Sequence, residues 1–177
     1  MKKDKIPLFE KFLDNLKKTR ETSRGDLAIL KRACGMKIAE SRNALGIFYR
    51  YLPSQLVRDY NEEIYFLVAT LYGLNDFPFT GSFGKTMREV YRKTDSESIT
   101  KRMISLLDSR LEGSDELSYK LRQSVRLASS HQVGVDWLQL IKDLIYWTHE
   151  DKFIQRNWAR DFFSKPKSEQ ENEPDKK

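Results

Sequence analysis

"FIQRNWARDFF" (residues 153–163) places five bulky apolar or aromatic side chains and two arginines within eleven residues. On a helix at ~100° per residue, Ile154, Trp158 and Phe162 fall on one stripe. Arg156 and Arg160 fall almost diametrically opposite. The stretch reads as an amphipathic helix that docks by its aromatic stripe. Its outer face has two readings: a solvated surface, or two guanidinium groups held out for phosphates.

The same periodicity recurs towards the N-terminus. Leu8, Phe12 and Leu16 stand four residues apart, and Leu27, Leu30 and Cys34 mark a helix over 24–34. Residues 43–52 are aromatic and stop at Pro53. Residues 62–72 are nearly all apolar, read as a buried central helix, and end at Gly73. "GLNDFPFTGSFG" (73–84) breaks the pattern and reads as a long loop. A short basic segment, 86–93, follows. "TDSES" (94–98) is a helix-start signal ahead of Ile99, Met103, Leu106 and Leu107. Leu117, Leu121, Val125 and Ala128 place a helix over 116–130. Asp136 is read as the cap of a helix running to Trp147, with Trp137 and Trp147 as core anchors. Asp151 is read as opening the last helix. Strand-like alternation is nearly absent. The fold class is therefore all-α, a bundle of about eight helices over 1–164. It forms one unit, or two small helical sub-bundles meeting at a seam in 73–95. Residues 165–177 hold no apolar side chain and are expected to be a disordered tail.

Composition narrows the classes. The chain has 177 residues, long enough to bury about 70% of its unfolded surface. Cys34 is the single cysteine, which leaves no intramolecular disulfide and fits a reducing, cytoplasmic setting. The charged N-terminus carries no signal-peptide pattern, and the longest apolar run, 64–74, is too short to span a bilayer. Net charge is +6. The tail holds four basic and four acidic residues, so the excess lies on 1–164. That balance suits nucleic acid, an acidic protein partner or an anionic surface.

Basic residues recur opposite apolar stripes: Arg32, Lys101, the pair Arg122 and Arg126, and the pair Arg156 and Arg160. Solvated helices usually interleave acids at i,i+4. Here Arg122 and Arg126 have Ser118 and Ser130 at that spacing, and Arg156 has Lys152 and Arg160. Tyr119, beside Arg122, is either half-buried or a stacking platform. Catalytic patterns are lacking. "GKT" (84–86) would need a glycine at Phe79 to be a phosphate loop. "HED" (149–151) has no second histidine at i+4 for a metal. Cys34 lies on an apolar stripe and reads as core. No enzyme, cofactor or metal is expected.

Seven ordered segments carry a family resemblance. They are Arg-Gly-Asp-Leu-x-x-Leu-Lys-Arg-Ala (24–33), Phe-Tyr (48–49), Phe-Gly-Lys (83–85), Ser-x-x-x-Arg-Met-x-x-Leu-Leu (98–107), Leu-Arg-x-x-Val-Arg-Leu (121–127), "VDWLQLIKDLIYW" (135–147) and "RNWARDFF" (156–163). Over roughly residues 8–164 the chain resembles the CasB-type small subunit of Cascade, the type I-E CRISPR surveillance complex. The resemblance implies a non-catalytic, cytoplasmic, all-helical subunit. It implies two copies per complex, docked on crRNA-backbone and large subunits, and contacts to crRNA and to target DNA including the displaced strand. The basic positions it carries over are Lys31, Arg32, Lys85, Arg102, Arg122, Arg126, Arg156 and Arg160, and Lys101 joins them from its helical position. Relatives often have Arg where this chain has Lys31 and Lys85, which removes the bidentate fork there. Arg102 stands nearer the apolar stripe than Lys101. The alternative is a helical protein–protein adaptor whose basic faces meet acidic partners, with Phe48, Tyr49, Tyr51, Phe77 and Phe79 as anchors.

Overall fold

The computed structural model describes residues 5–111 and 115–164. Over these residues the chain is all-helical, with nine α-helices, two short 3-10 turns and no strand. The expected all-α bundle is present, with nine helices in place of about eight. The tail, 165–177, lies outside the described residues.

Helices α1 (Ile6–Thr22), α2 (Arg24–Arg32), α3 (Arg42–Tyr51) and α4 (Glu62–Tyr72) pack on one another. Every residue of α4 from Ile64 to Leu71 is buried, as its unbroken apolar run requires. Helices α5 (Phe83–Thr94), α6 (Glu97–Leu107), α7 (Glu116–Ser130), α8 (Trp137–Ile145) and α9 (Phe153–Phe163) form the second group. The α5–α9 pair makes the most extensive helix contact. α8 also packs on α1 and α4, and α7 on α4. A single buried cluster therefore runs through both groups.

Local chemistry explains most boundaries. Ser82 caps α5 by accepting from Lys85 N, and Ser96 caps α6 by accepting from Ser98 N. α5 begins three residues before the basic segment suggested, because Phe83 and Gly84 face the core. α2 ends at Arg32, so Cys34 is buried in the turn that follows. The core stripe of α1 is Phe9, Phe12, Leu16 and Thr19, with Leu8 only partly buried. Asp151 does not open α9. Lys152, at φ +50°, precedes the first helical residue, and the Asp151 N–H donates to His149 Nδ1 at 3.3 Å.

Asp136 does cap α8. Its carboxylate accepts from Gln139 N at 2.9 Å and from Gly81 N at 3.0 Å. One side chain thus starts a helix and ties down the end of the 73–84 loop. Asp136→Ala is expected to cost about 1–2 kcal/mol, the loss of a good cap with a second acceptor. A urea titration checks this: the midpoint should fall with the slope unchanged.

The core around α9 is aromatic and contains one carboxylate. Trp147 and Trp158 are buried with ring centroids 4.9 Å apart. Trp147 Nε1 donates to Ser109 O at 3.0 Å, and Trp158 Nε1 donates to Asp143 Oδ2 at 2.6 Å. Trp137 is buried too, so the tryptophans expected as core anchors are core. Asp143 is 4% exposed. Burial raises its pKa, and the hydrogen bonds from Trp158 and Gln139 pull part of the way back. Gly84 lets α5 approach α9 at backbone distance. A Cβ there would lie 2.2 Å from Trp158 O. No helix among the described residues is long and apolar enough to cross a membrane.

Candidate nucleic-acid interface

Each of the nine basic positions belongs to a helix that buries its other face in the core. Eight of them are exposed: Lys31, Arg32, Lys85, Lys101, Arg102, Arg126, Arg156 and Arg160. Arg102, expected nearer the apolar stripe, is exposed, as Lys101 is. Arg122 differs from the outward projection read in the sequence. It is half-buried, and its Nε is shielded from solvent with no hydrogen-bond partner among the described residues.

None of the nine forms an ion pair within 4 Å to a carboxylate of a described residue. Neighbours on the same helices do. Lys120 pairs with Glu116 at 2.6 Å on α7, and Arg92 pairs with Glu89 at 2.6 Å on α5. The nine therefore carry charge that the fold does not neutralise locally. Such charge costs little in water and is available to an external anion. Unpaired cations are not confined to these positions. Exposed Lys152 extends the α9 row one turn ahead of Arg156. The sequence reading passed over it as a site, although the spacing of four residues was visible.

The fold gathers seven of the nine into two groups and leaves two residues aside. In the first group, Lys31 and Arg32 end α2, and the turn after them meets Arg122. Gly35 in that turn has φ +92°, and a Cβ there would lie 3.6 Å from Arg122 Nη1. The buried Cys34 thiol has its pKa raised by burial, and the charges of Arg122 and Arg126 both act against that rise. Arg122 therefore lies against the turn after α2, and Arg126 stands one turn further along α7. In the second group, the stem of Lys85 covers Gly81, and Arg160 lines the same recess as Gly81 and Ser82. Arg156 stands one turn before Arg160. Asp161 adds an acid here, accepting from Ser82 Oγ. Lys101 and Arg102 stand on the exposed face of α6, outside both groups.

The aromatic residues divide differently. Phe48 is fully buried, so it is a core residue and not a surface anchor. Tyr51 is half-buried and donates to Asp26 Oδ2 at 2.7 Å. Phe77 and Phe79 are half-buried, and Tyr49 is exposed. Tyr119 is 59% exposed, so its ring is open beside the α7 arginines. Among the described residues no cluster of three or more His, Cys, Asp or Glu side chains is arranged to hold a metal.

Residues 26–163 match the family model for CRISPR-associated protein Cse2. The chain is 29% identical over 166 residues to the CRISPR-associated protein Cse2 of Thermus thermophilus, covering 92% of this chain and 94% of that protein. The crystal structure of a Cse2-family protein from Thermus thermophilus superposes with a TM-score of 0.74 at 26% identity, over 88% of this chain and 97% of that one. A chain from a CRISPR RNA-guided surveillance complex superposes with a TM-score of 0.71 at 21% identity, over 89% and 92% of the two chains, and shares the fold.

Proposed function

The chain belongs to the Cse2 family of CRISPR-associated proteins, and from that membership we propose that it is a non-catalytic subunit of a type I-E Cascade complex that stabilises the R-loop. In this reading it sits in two copies beside crRNA-backbone and large subunits. Its basic faces hold the crRNA–target heteroduplex and the displaced strand through phosphates, without reading sequence. Exchange of a DNA duplex for an RNA–DNA heteroduplex is nearly balanced in energy. A few backbone contacts are then enough to tip it.

The observation that carries this reading is the set of nine cations without carboxylate partners among the described residues, fixed on packed helices. A helix docked by Trp158 or Leu121 holds its arginines at set spacings, so less motion is lost on contact. A fold relative drawn from an RNA-guided surveillance complex adds support.

The test is binding of single-stranded DNA, duplex DNA and RNA by the purified chain across a salt series. At ~0.7 per phosphate on single strands, a log–log slope of magnitude ~2–4 is expected. Arg122→Glu/Arg126→Glu and Arg156→Glu/Arg160→Glu should each lose part of that slope. Equal binding by all three proteins, or none by any, would transfer the lead to the adaptor reading.

A further inference from the structure

A half-open cavity of about 410 Å³ lies where the α2–α3 turn, α4, the start of α7 and the end of α8 meet. Its apolar lining includes Ile64, Leu67, Leu111, Leu144 and Ile145. Met36 and Tyr60, which also line it, are 49% and 92% exposed. Two exposed side chains with large apolar parts thus flank a hollow whose buried floor is aliphatic.

Charge selects the occupant. None of the nine basic residues lines this cavity. Its charged lining is Lys37, Glu63 and Asp115. Lys37 is already paired with Asp115 at 3.5 Å. Glu63 is exposed, and its carboxylate accepts Ile38 N–H at 3.3 Å. The described lining is thus net acidic on a protein of net charge +6. Arg122 stands at one edge of the hollow, beside Gly35, so the charge left for a partner inside it is the Glu63 carboxylate, which suits a cation.

We propose that this cavity is a docking site for a polypeptide: a helix or strand of a partner subunit that inserts aliphatic side chains and sets a lysine or arginine against Glu63. The hollow admits a few side chains, and the rest of the segment lies over Met36 and Tyr60. Tyrosine gives large contact area at low entropic cost and is enriched among residues that dominate binding. The proposal stands apart from the nucleic-acid reading and holds whether or not the basic faces touch phosphates.

The experiment is methyl NMR on the full chain with two synthetic amphipathic helical peptides. Both carry leucine on one face. The other face is lysine in one peptide and glutamate in the other. The lysine peptide should shift the methyl signals of Met36, Ile64, Leu67 and Leu144 saturably, and the glutamate peptide should not. Tyr60→Ala changes a fully solvated side chain and should leave the unfolding midpoint alone. It should weaken the lysine peptide roughly ten-fold and leave oligonucleotide binding unchanged. Glu63→Gln should narrow the preference for lysine over glutamate. The proposal is overturned if neither peptide moves these methyls, if both bind equally, or if an oligonucleotide moves them instead. Unchanged oligonucleotide binding in the basic-face variants, with these shifts intact, would sink only the nucleic-acid reading.

Discussion

Gly84→Ala should destabilise the protein by about 2 kcal/mol or more. Alanine is the better helix former by about 1 kcal/mol, so an exposed position would show the opposite sign. Here the new methyl would lie 2.2 Å from Trp158 O and 2.8 Å from that residue's carbonyl carbon and Cα. All three are backbone atoms, and no rotamer change removes them. α5 and α9 must separate, which loosens Phe83 on Trp158 and Tyr91 on Phe162. Overpacking of this kind costs about 1–3 kcal/mol, occasionally more, and outweighs the gain in propensity. Gly46 is the control. It lies inside α3, exposed, with nothing within 4 Å of an added Cβ. Gly46→Ala should stabilise by roughly 0.5–1 kcal/mol. Chemical denaturation of both variants decides the matter, and equal signs would refute the argument.

Trp158→Ala should cost about 3–5 kcal/mol, the range for deleting a large buried aromatic. Trp158→Phe isolates one part of that loss. The ring remains, but Asp143 Oδ2 loses the Trp158 Nε1 donor at 2.6 Å. A buried oxygen left without that donor costs about 1–3 kcal/mol. The sign with pH follows from Asp143. Burial raises its folded pKa above the ordinary aspartate value of 3.8. Its ionisation therefore costs stability as pH rises from 3.8 through the folded pKa. Trp158 eases that cost by favouring the ionised form. The gap between wild type and Trp158→Phe should widen from acid to neutral pH. Asp143→Leu in the Trp158→Phe background should recover part of the loss, because both partners then become apolar. A pH-independent gap, or strict additivity, would show that the bond contributes nothing beyond packing.

The stripes were readable because each needs only its own helix. Ile154, Trp158 and Phe162 are buried, and so are Leu117, Leu121 and Val125. The caps at Ser96 and Asp136 were readable for the same reason. Asp143 and Gln155 were not. Both are polar, yet both are buried because Trp158 Nε1 and Trp147 O are their partners. Gly84 carries no local signal either, since its reason is a carbonyl on another helix. The candidate site divides along the same line. Spacing put Arg156 and Arg160 on one face, and the structure agrees. Spacing had no means to bring Lys85 and Arg160 to the same glycine, Gly81, or to fold Arg122 back against the turn at Gly35. Those are facts of tertiary packing.

The α5–α9 contact also has a history during synthesis. Ser82 and Asp161, which bond across it, are 79 residues apart in sequence. At about 5–20 residues per second, a ribosome takes roughly 4–16 s to make that interval. Phe83 and Tyr91 must wait through it without Trp158 and Phe162, the rings that finally pack on them. A nascent chain halted before residue 153 keeps that apolar strip open, a ready target for chaperones or for other unfinished copies. Of the described elements, the last helix to leave the ribosome is the one on which completion of the second group depends.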